Sequence, residues 1–197
     1  MMNSTAAEVQ FMTSLIKLAV RDVIANDSDI LNSKRKVGEM AINHRLAVYL
    51  ERHLPKFIHR FLSETASDNY FFDLEYDRNY GSTKKLVIDG VEASRRPDIL
   101  VHSRTNDLIP VQHLLAVEAK KRFSEKGSSF DTKKIKALMQ QYNYKFGLTI
   151  LYRCRRTFVT AKLYYCIEDI VECTLIEVSD AEVVNLPHTS TTSPVPK

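Results

Sequence analysis

Asp98, Glu118 and Lys120 are the residues of this chain whose types and spacing could do chemistry together. They lie in the run RRPDILVHSRTNDLIPVQHLLAVEAKKR, between Arg95 and Arg122, which contains two short branched-aliphatic stretches bounded by polar turn formers. Both stretches predict strands. Side chains alternate faces along a strand, so Glu118 and Lys120 share a face and Ala119 points the other way. If the two strands pair, Asp98 sits beside Glu118. Two adjacent carboxylates repel, and one then tends to hold its proton. A hard divalent cation removes that conflict, because Mg²⁺ takes oxygen ligands from one or two carboxylates together with water and substrate phosphate. No nucleophile-and-base pairing accompanies these residues. Two acids and an ammonium suit a phosphodiester better than an acyl group.

The order Pro97-Asp98, then Glu118-Ala119-Lys120, resembles the signature of the PD-(D/E)XK nuclease superfamily, and the order of elements resembles it over about residues 35–152. The resemblance implies an α/β fold with a restriction-endonuclease-like core: a central mixed β-sheet flanked by helices, here preceded by an N-terminal helical segment. It implies a Mg²⁺- or Mn²⁺-dependent nuclease in which Asp98, Glu118 and the backbone carbonyl of Ala119 hold the metal and Lys120 acts on the attacking water. Enzymes of this family commonly place an acid on the helix before the sheet, and Glu39 matches that position. The alternative for Glu39 is a first-turn glutamate favoured by the helix dipole. Gln140 and Tyr144 match the Gln-x-x-x-Tyr pattern of RecB-like and phage-exonuclease-like branches. Helical geometry, however, turns them away from the apolar stripe of their helix, as two exposed polar residues would be.

Several elements must position these groups. Thr5 and Glu8 form a capping box, and Val9, Met12, Ile16, Ala19, Val20 and Val23 follow at helical spacing, predicting a helix that ends near Asn26 and a loop over 26–33. A second helix is expected over 36–53, with Ile42, Leu46, Tyr49 and Leu50 on its apolar face, then a short turn over 56–62 after Pro55. Residues 70–76 predict an aromatic strand in which Glu75 is a solvated or salt-bridged residue or a further acid near the metal. Asp89-Gly90 between Leu86-Val87-Ile88 and Val91-Glu92-Ala93 predicts a tight hairpin. Beyond the two central strands, Asp131 is a candidate cap for a helix running to about Lys145, with Ile135, Leu138, Met139 and Tyr142 inward and Gly147 as its terminator. Strands are expected over 148–152 and 162–167. Strand, helix, strand implies a parallel crossover.

Composition bounds the rest. A chain of 197 residues predicts one domain, 1–185, with N-terminal helices over 5–62, an α/β core over 35–170 and a disordered Pro/Ser/Thr-rich tail over 186–197. No apolar run is long enough to span a membrane, and no secretory signal is visible, so a cytoplasmic protein is expected. Cys154, Cys166 and Cys173 lack zinc-like spacing and fit free thiols. The net charge of +4 permits polyanion binding without demanding it. Arg95, Arg96, Lys121, Arg122, Lys133 and Lys134 are basic candidates for phosphate contact, as are the clusters 34–36 and 153–156; solvated helix faces are the alternative. The functional expectation is a DNA endonuclease, homodimeric if it cuts both strands. An exonuclease, an RNase, or an inactive nuclease-fold module binding nucleic acid or protein remain alternatives.

Overall fold

Thr5 opens the first helix of the computed structural model, which describes residues 1–32, 34, 36–62, 69–75, 78–79, 82–83, 85–104, 111–153 and 158–179. Its hydroxyl accepts the Glu8 N–H (3.2 Å), and Glu8 Oε2 accepts the Thr5 N–H (2.8 Å). Helix α1 (Ala6–Leu31) does not stop near Asn26 as expected. It bends at Asp27, which leaves helical geometry (φ −129°, ψ 26°), and continues to Leu31. The reason is tertiary. The Asp27 carboxylate accepts from the Tyr49 hydroxyl (2.6 Å) and from Arg45 Nε (2.9 Å), while Leu31 is buried in the core. Helix α2 (Glu39–His53) starts later than the 36–53 pattern predicts, because Lys36 sits in the left-handed region (φ 52°). Pro55 opens the short α3 (Pro55–Phe61), where its missing N–H costs no bond.

The strands follow: β1 (Tyr70–Leu74), β2 (Arg78–Asn79), β3 (Ser82–Thr83), β4 (Lys85–Ile88), β5 (Val91–Ser94), β6 (Ile99–Ser103) and β7 (His113–Lys120). Helix α4 (Glu125–Tyr142) leads to β8 (Phe146–Arg153), β9 (Phe158–Ile167) and β10 (Ile170–Ser179). Strand β1 ends before the predicted residue 76, since Glu75 turns at φ 48°. Asp89 and Gly90, at φ 52° and 78°, make the β4–β5 turn as predicted. Strand β10 was not expected. Its turn uses Glu168 and Asp169 at φ 48° and 64°, a left-handed pair with no glycine to advertise it.

Six strands form one mixed sheet in the order β1-β6-β7-β8-β9-β10, in which only β7 and β8 are parallel. Helices α1, α2 and α3 close one face with the larger apolar core, which includes Ile99, Val117, Ala119 and Leu163. Helix α4 covers part of the other face through Leu100, Ala116, Ile135, Leu138 and Met139. The molecule is thus an α/β structure with helices on both faces of the sheet.

Two readings of α4 need correction. Its N-cap is Ser124, whose hydroxyl accepts the Gly127 N–H (3.1 Å), so Asp131 is a mid-helix residue and not a cap. Its left-handed terminator is Asn143 (φ 55°), not Gly147. Gly147 lies in β8 for a packing reason: a Cβ there would stand 2.2 Å from Ile135 Cγ2 and 3.0 Å from Met139 Sδ. Cys166 is buried and Cys173 exposed, both as free thiols. Cys154, the tail over 186–197 and most of the connection between β6 and β7 lie outside the described residues. Among the described residues, no helix is long and apolar enough to cross a membrane.

Candidate active site

Pro97 has no N–H to give a ladder, so regular pairing of β6 begins just after it. Asp98 then bridges the gap with both its backbone and its side chain. Its N–H donates to the Val117 carbonyl (3.1 Å), its carbonyl accepts the Glu75 N–H (3.1 Å), and its Oδ2 accepts the Ala119 N–H (2.7 Å). The carboxylate therefore takes the place of the backbone acceptor where β6 leaves β7. In register, Ile99 faces Val117 and Leu100 faces Ala116, which puts Asp98 level with Glu118. Leu100 and Ala116 belong to the apolar cluster under α4, so strand alternation places Asp98, Glu118 and Lys120 on that same face. Ala119 points into the opposite core.

Helix α4 brings two residues that sequence reasoning misplaced. Asp131 and Lys134 are three apart, so they share a helix face, and both are buried. Lys134 had been a candidate phosphate contact. Instead its Nζ lies 2.6 Å from Glu118 Oε1 and donates to the Arg96 carbonyl (2.6 Å). The contact with Glu118 is a buried ion pair. Glu39 is the first residue of α2 and half-buried, and its Oε1 accepts the Lys121 N–H (2.8 Å). Glu39 is thus a first-turn acid whose side chain reaches the residue following Lys120. Lys121 Nζ donates to the Val37 carbonyl.

The electrostatics follow from crowding four carboxylates (Asp98, Glu118, Asp131, Glu39) around two ammonium groups (Lys120, Lys134). Burial pushes Glu118 up to about 7; Lys134 opposes the rise and Asp98 adds to it. Burial also raises Asp98 and Asp131, against the pull of the lysines. For Lys120, burial acts downward but is outweighed by Asp98, Asp131, Glu118 and Glu39, so the ammonium is held above its ordinary value. The group is short of positive charge.

A cleft of ≈ 560 Å³ opens against this group and is lined by Glu118, Lys120 and Asp131 among others. Carboxylate oxygens are hard donors, and two carboxylates level with each other, as Asp98 and Glu118 are, suit a divalent cation. Among the described residues, no three His, Cys, Asp or Glu side chains stand placed to hold a metal ion.

The other basic and polar candidates scatter. Arg95 and Arg122 are exposed, and the Arg95 guanidinium lies over the Phe130 ring (5.4 Å). Arg96 is exposed, with its carbonyl held by Lys134. Lys133 pairs with Asp89 (2.6 Å) on the β4–β5 hairpin. Gln140 is exposed. Tyr144 is not: it lies past the end of α4, 1% exposed, stacked on His113 at 4.8 Å, so the Gln-x-x-x-Tyr pair does not share a surface. The left-handed Asn143 reverses its direction, which helix spacing alone could not anticipate. Of the clusters 34–36 and 153–156, Arg35 and 154–156 lie outside the described residues. Asp131 could have been found by asking which acids share a helix face with Lys134.

No family model matches the chain, and no curated protein matches it. Among solved structures, the crystal structure of SSO0001 aligns over 87% of this chain and 69% of its own, at 15% identity and a TM-score of 0.24, which is too slight a likeness to bear on fold or activity.

Proposed function

We propose that this chain is a divalent-cation-dependent nuclease with a restriction-endonuclease-like core of the PD-(D/E)XK type, and that it hydrolyses nucleic-acid phosphodiesters as a DNA endonuclease. The observation that carries the reading is Glu118: a carboxylate 2% exposed, raised to about 7 even with Lys134 beside it, level with Asp98 and lining an open cleft. Asp98, Glu118 and the Ala119 carbonyl would hold Mg²⁺ or Mn²⁺. Such a cation, when bound, lowers the pKa of a water and offsets charge on the phosphate and the leaving oxygen.

The chain's own residues supply the rest. Lys120, held as an ammonium by the surrounding acids, donates hydrogen bonds to the attacking water and to the developing charge on phosphate. A role as general base would need the cation's charge to oppose these acids. Glu39 fixes the backbone just after Lys120 through the Lys121 N–H, so its role is positioning. The Asp98–Ala119 hydrogen bond holds the two strands in the register that the acids need. One such site cuts one strand, so cutting a duplex on both strands calls for a homodimer.

Asp98→Ala and Lys120→Ala are each expected to abolish Mg²⁺-dependent cleavage while leaving the circular-dichroism spectrum and melting transition of a folded protein. Wild-type cleavage by either purified variant defeats the assignment. Linear, circular and single-stranded DNA and an RNA substrate, run in parallel, separate endonuclease from exonuclease and RNase.

One observation favours a second reading, a non-catalytic module that binds nucleic acid or a protein. Lys134 already stands 2.6 Å from Glu118, where it partly neutralises the acid. Titration calorimetry with Mn²⁺ separates the two: heat of binding that is lost in Asp98→Ala supports the nuclease, and no binding supports the module.

A further inference from the structure

We propose that the cleft beside Lys120 seats an unpaired base of a single-stranded polynucleotide, with Phe123 as its stacking surface. That the ligand is a polynucleotide rests on the nuclease reading; that it is single-stranded rests on the shape and chemistry of the cleft. Helix α4 covers only part of its face of the sheet. On β9 and β10, Ala161 and Ile176 point into the opposite core, so alternation leaves Lys162 and Leu175 on the side that α4 does not reach. The cleft lies between this uncovered patch and the first turn of α4, and Phe123, Lys162 and Leu175 line it together with Glu118, Lys120 and Asp131.

Two features stand out. Phe123 is 64% exposed and Leu175 57% exposed, on a cleft that also contains the chemistry-bearing acids. Large apolar side chains left in water beside a concave site mark a surface that gains by being covered. The volume of ≈ 560 Å³ is that of a small-ligand site, room enough for an unpaired base. Paired bases keep their faces inside their own stack and offer none to an exposed ring. An unpaired base offers a π-face to Phe123 and apolar contact to Leu175. The exposed cations Arg122 and Lys162 attract the adjoining phosphates without regard to sequence, and the exposed Glu177 on the same cleft keeps them to the cationic side.

The test is fluorescence anisotropy with the full chain in EDTA, so that binding is read apart from cleavage, using labelled oligo-dT, oligo-U and a blunt DNA duplex. A single strand is expected to bind more tightly than the duplex. Phe123→Ala is expected to weaken single-strand binding at least about fivefold, the low end of what a lost base–aromatic stack costs. Phe123→Tyr is expected to retain binding, because the ring remains. Oligo-dT and oligo-U differ in the C5 methyl group as well as the sugar, and tighter binding of either than of the duplex supports the site. Equal affinity for duplex, or unchanged binding by folded Phe123→Ala, overturns the proposal. Duplex hydrolysis with Mg²⁺ alongside binding indifferent to Phe123 would keep the nuclease and remove this cleft from it. Single-strand binding that depends on Phe123, with no hydrolysis on any substrate, would keep the cleft and remove the nuclease.

Discussion

Glu118 carries the clearest consequence of burying acids together. Its folded-state pKa of about 7 lies above the ordinary carboxylate value of 4.5, so between these pH values the folded chain binds more protons than the unfolded one. Stability then falls as pH rises through that window. Asp98 and Asp131 are shifted in the same direction and reinforce the slope. Despite its burial, Asp73 is held below its usual range by Arg104 and His102, so its contribution has the opposite sign and is lost only in strong acid. Metal-free protein is therefore expected to melt at lower temperature at pH 7.5 than at pH 5.5. Glu118→Gln is expected to flatten this dependence, whatever it does to the melting point at any one pH. Thermal melts across the window with chelator present read the slope; a slope unchanged by Glu118→Gln would show that Glu118 does not titrate there.

At the scale of elements, α4 is both a layer of the fold and one wall of the site. Its apolar stripe presses on β8 closely enough that residue 147 has no room for a Cβ, and three residues of that same helix, Lys133, Gln141 and Tyr142, hold the β4–β5 hairpin from outside. Asp131 and Lys134 reach the acids only because the helix lies this near the sheet. Gly147→Ala must push Ile135 or the strand aside, and overpacking of this kind typically costs about 1–3 kcal/mol. Urea unfolding is expected to show that loss. Because α4 would move outward, cleavage is expected to fall by more than the small unfolded fraction explains. A Gly147→Ala protein of wild-type stability would mean that α4 is looser than its packing indicates.

For the molecule as a whole, the sheet and the two helical layers hold a group of acids that repel one another in the absence of a compensating cation. A cation that binds only the folded state stabilises it by mass action, by about 2.7 kcal/mol at a hundredfold excess over its dissociation constant. Saturating Mg²⁺ or Mn²⁺ is expected to raise the melting temperature of the wild-type chain and to leave that of Asp98→Ala nearly unchanged, as followed by scanning calorimetry. An equal rise in both proteins would place the cation elsewhere.

Local pattern alone determined a good deal of this protein. Thr5 and Glu8 announce the first helix, Asp89-Gly90 the hairpin, and the run from Pro97 to Lys120 two adjacent strands whose alternation puts Asp98, Glu118 and Lys120 on one face. Each of these depends on residues close in sequence or on a period of two, and such signals survive without knowledge of what lies across the core. The strand-helix-strand order likewise implied the parallel pairing of β7 with β8. What lay beyond reach was decided by neighbours distant along the chain. Asp27 bends α1 without ending it because Arg45 and Tyr49 meet it there. Tyr144 is drawn into the core by the left-handed Asn143 and the His113 ring. Lys134 has the same charge as any surface lysine, and only the approach of α4 to β7 makes it the partner of Glu118. Composition and spacing name the groups able to do chemistry; burial and long-range pairing set their charge, and those exist only once the sheet and its helices have closed.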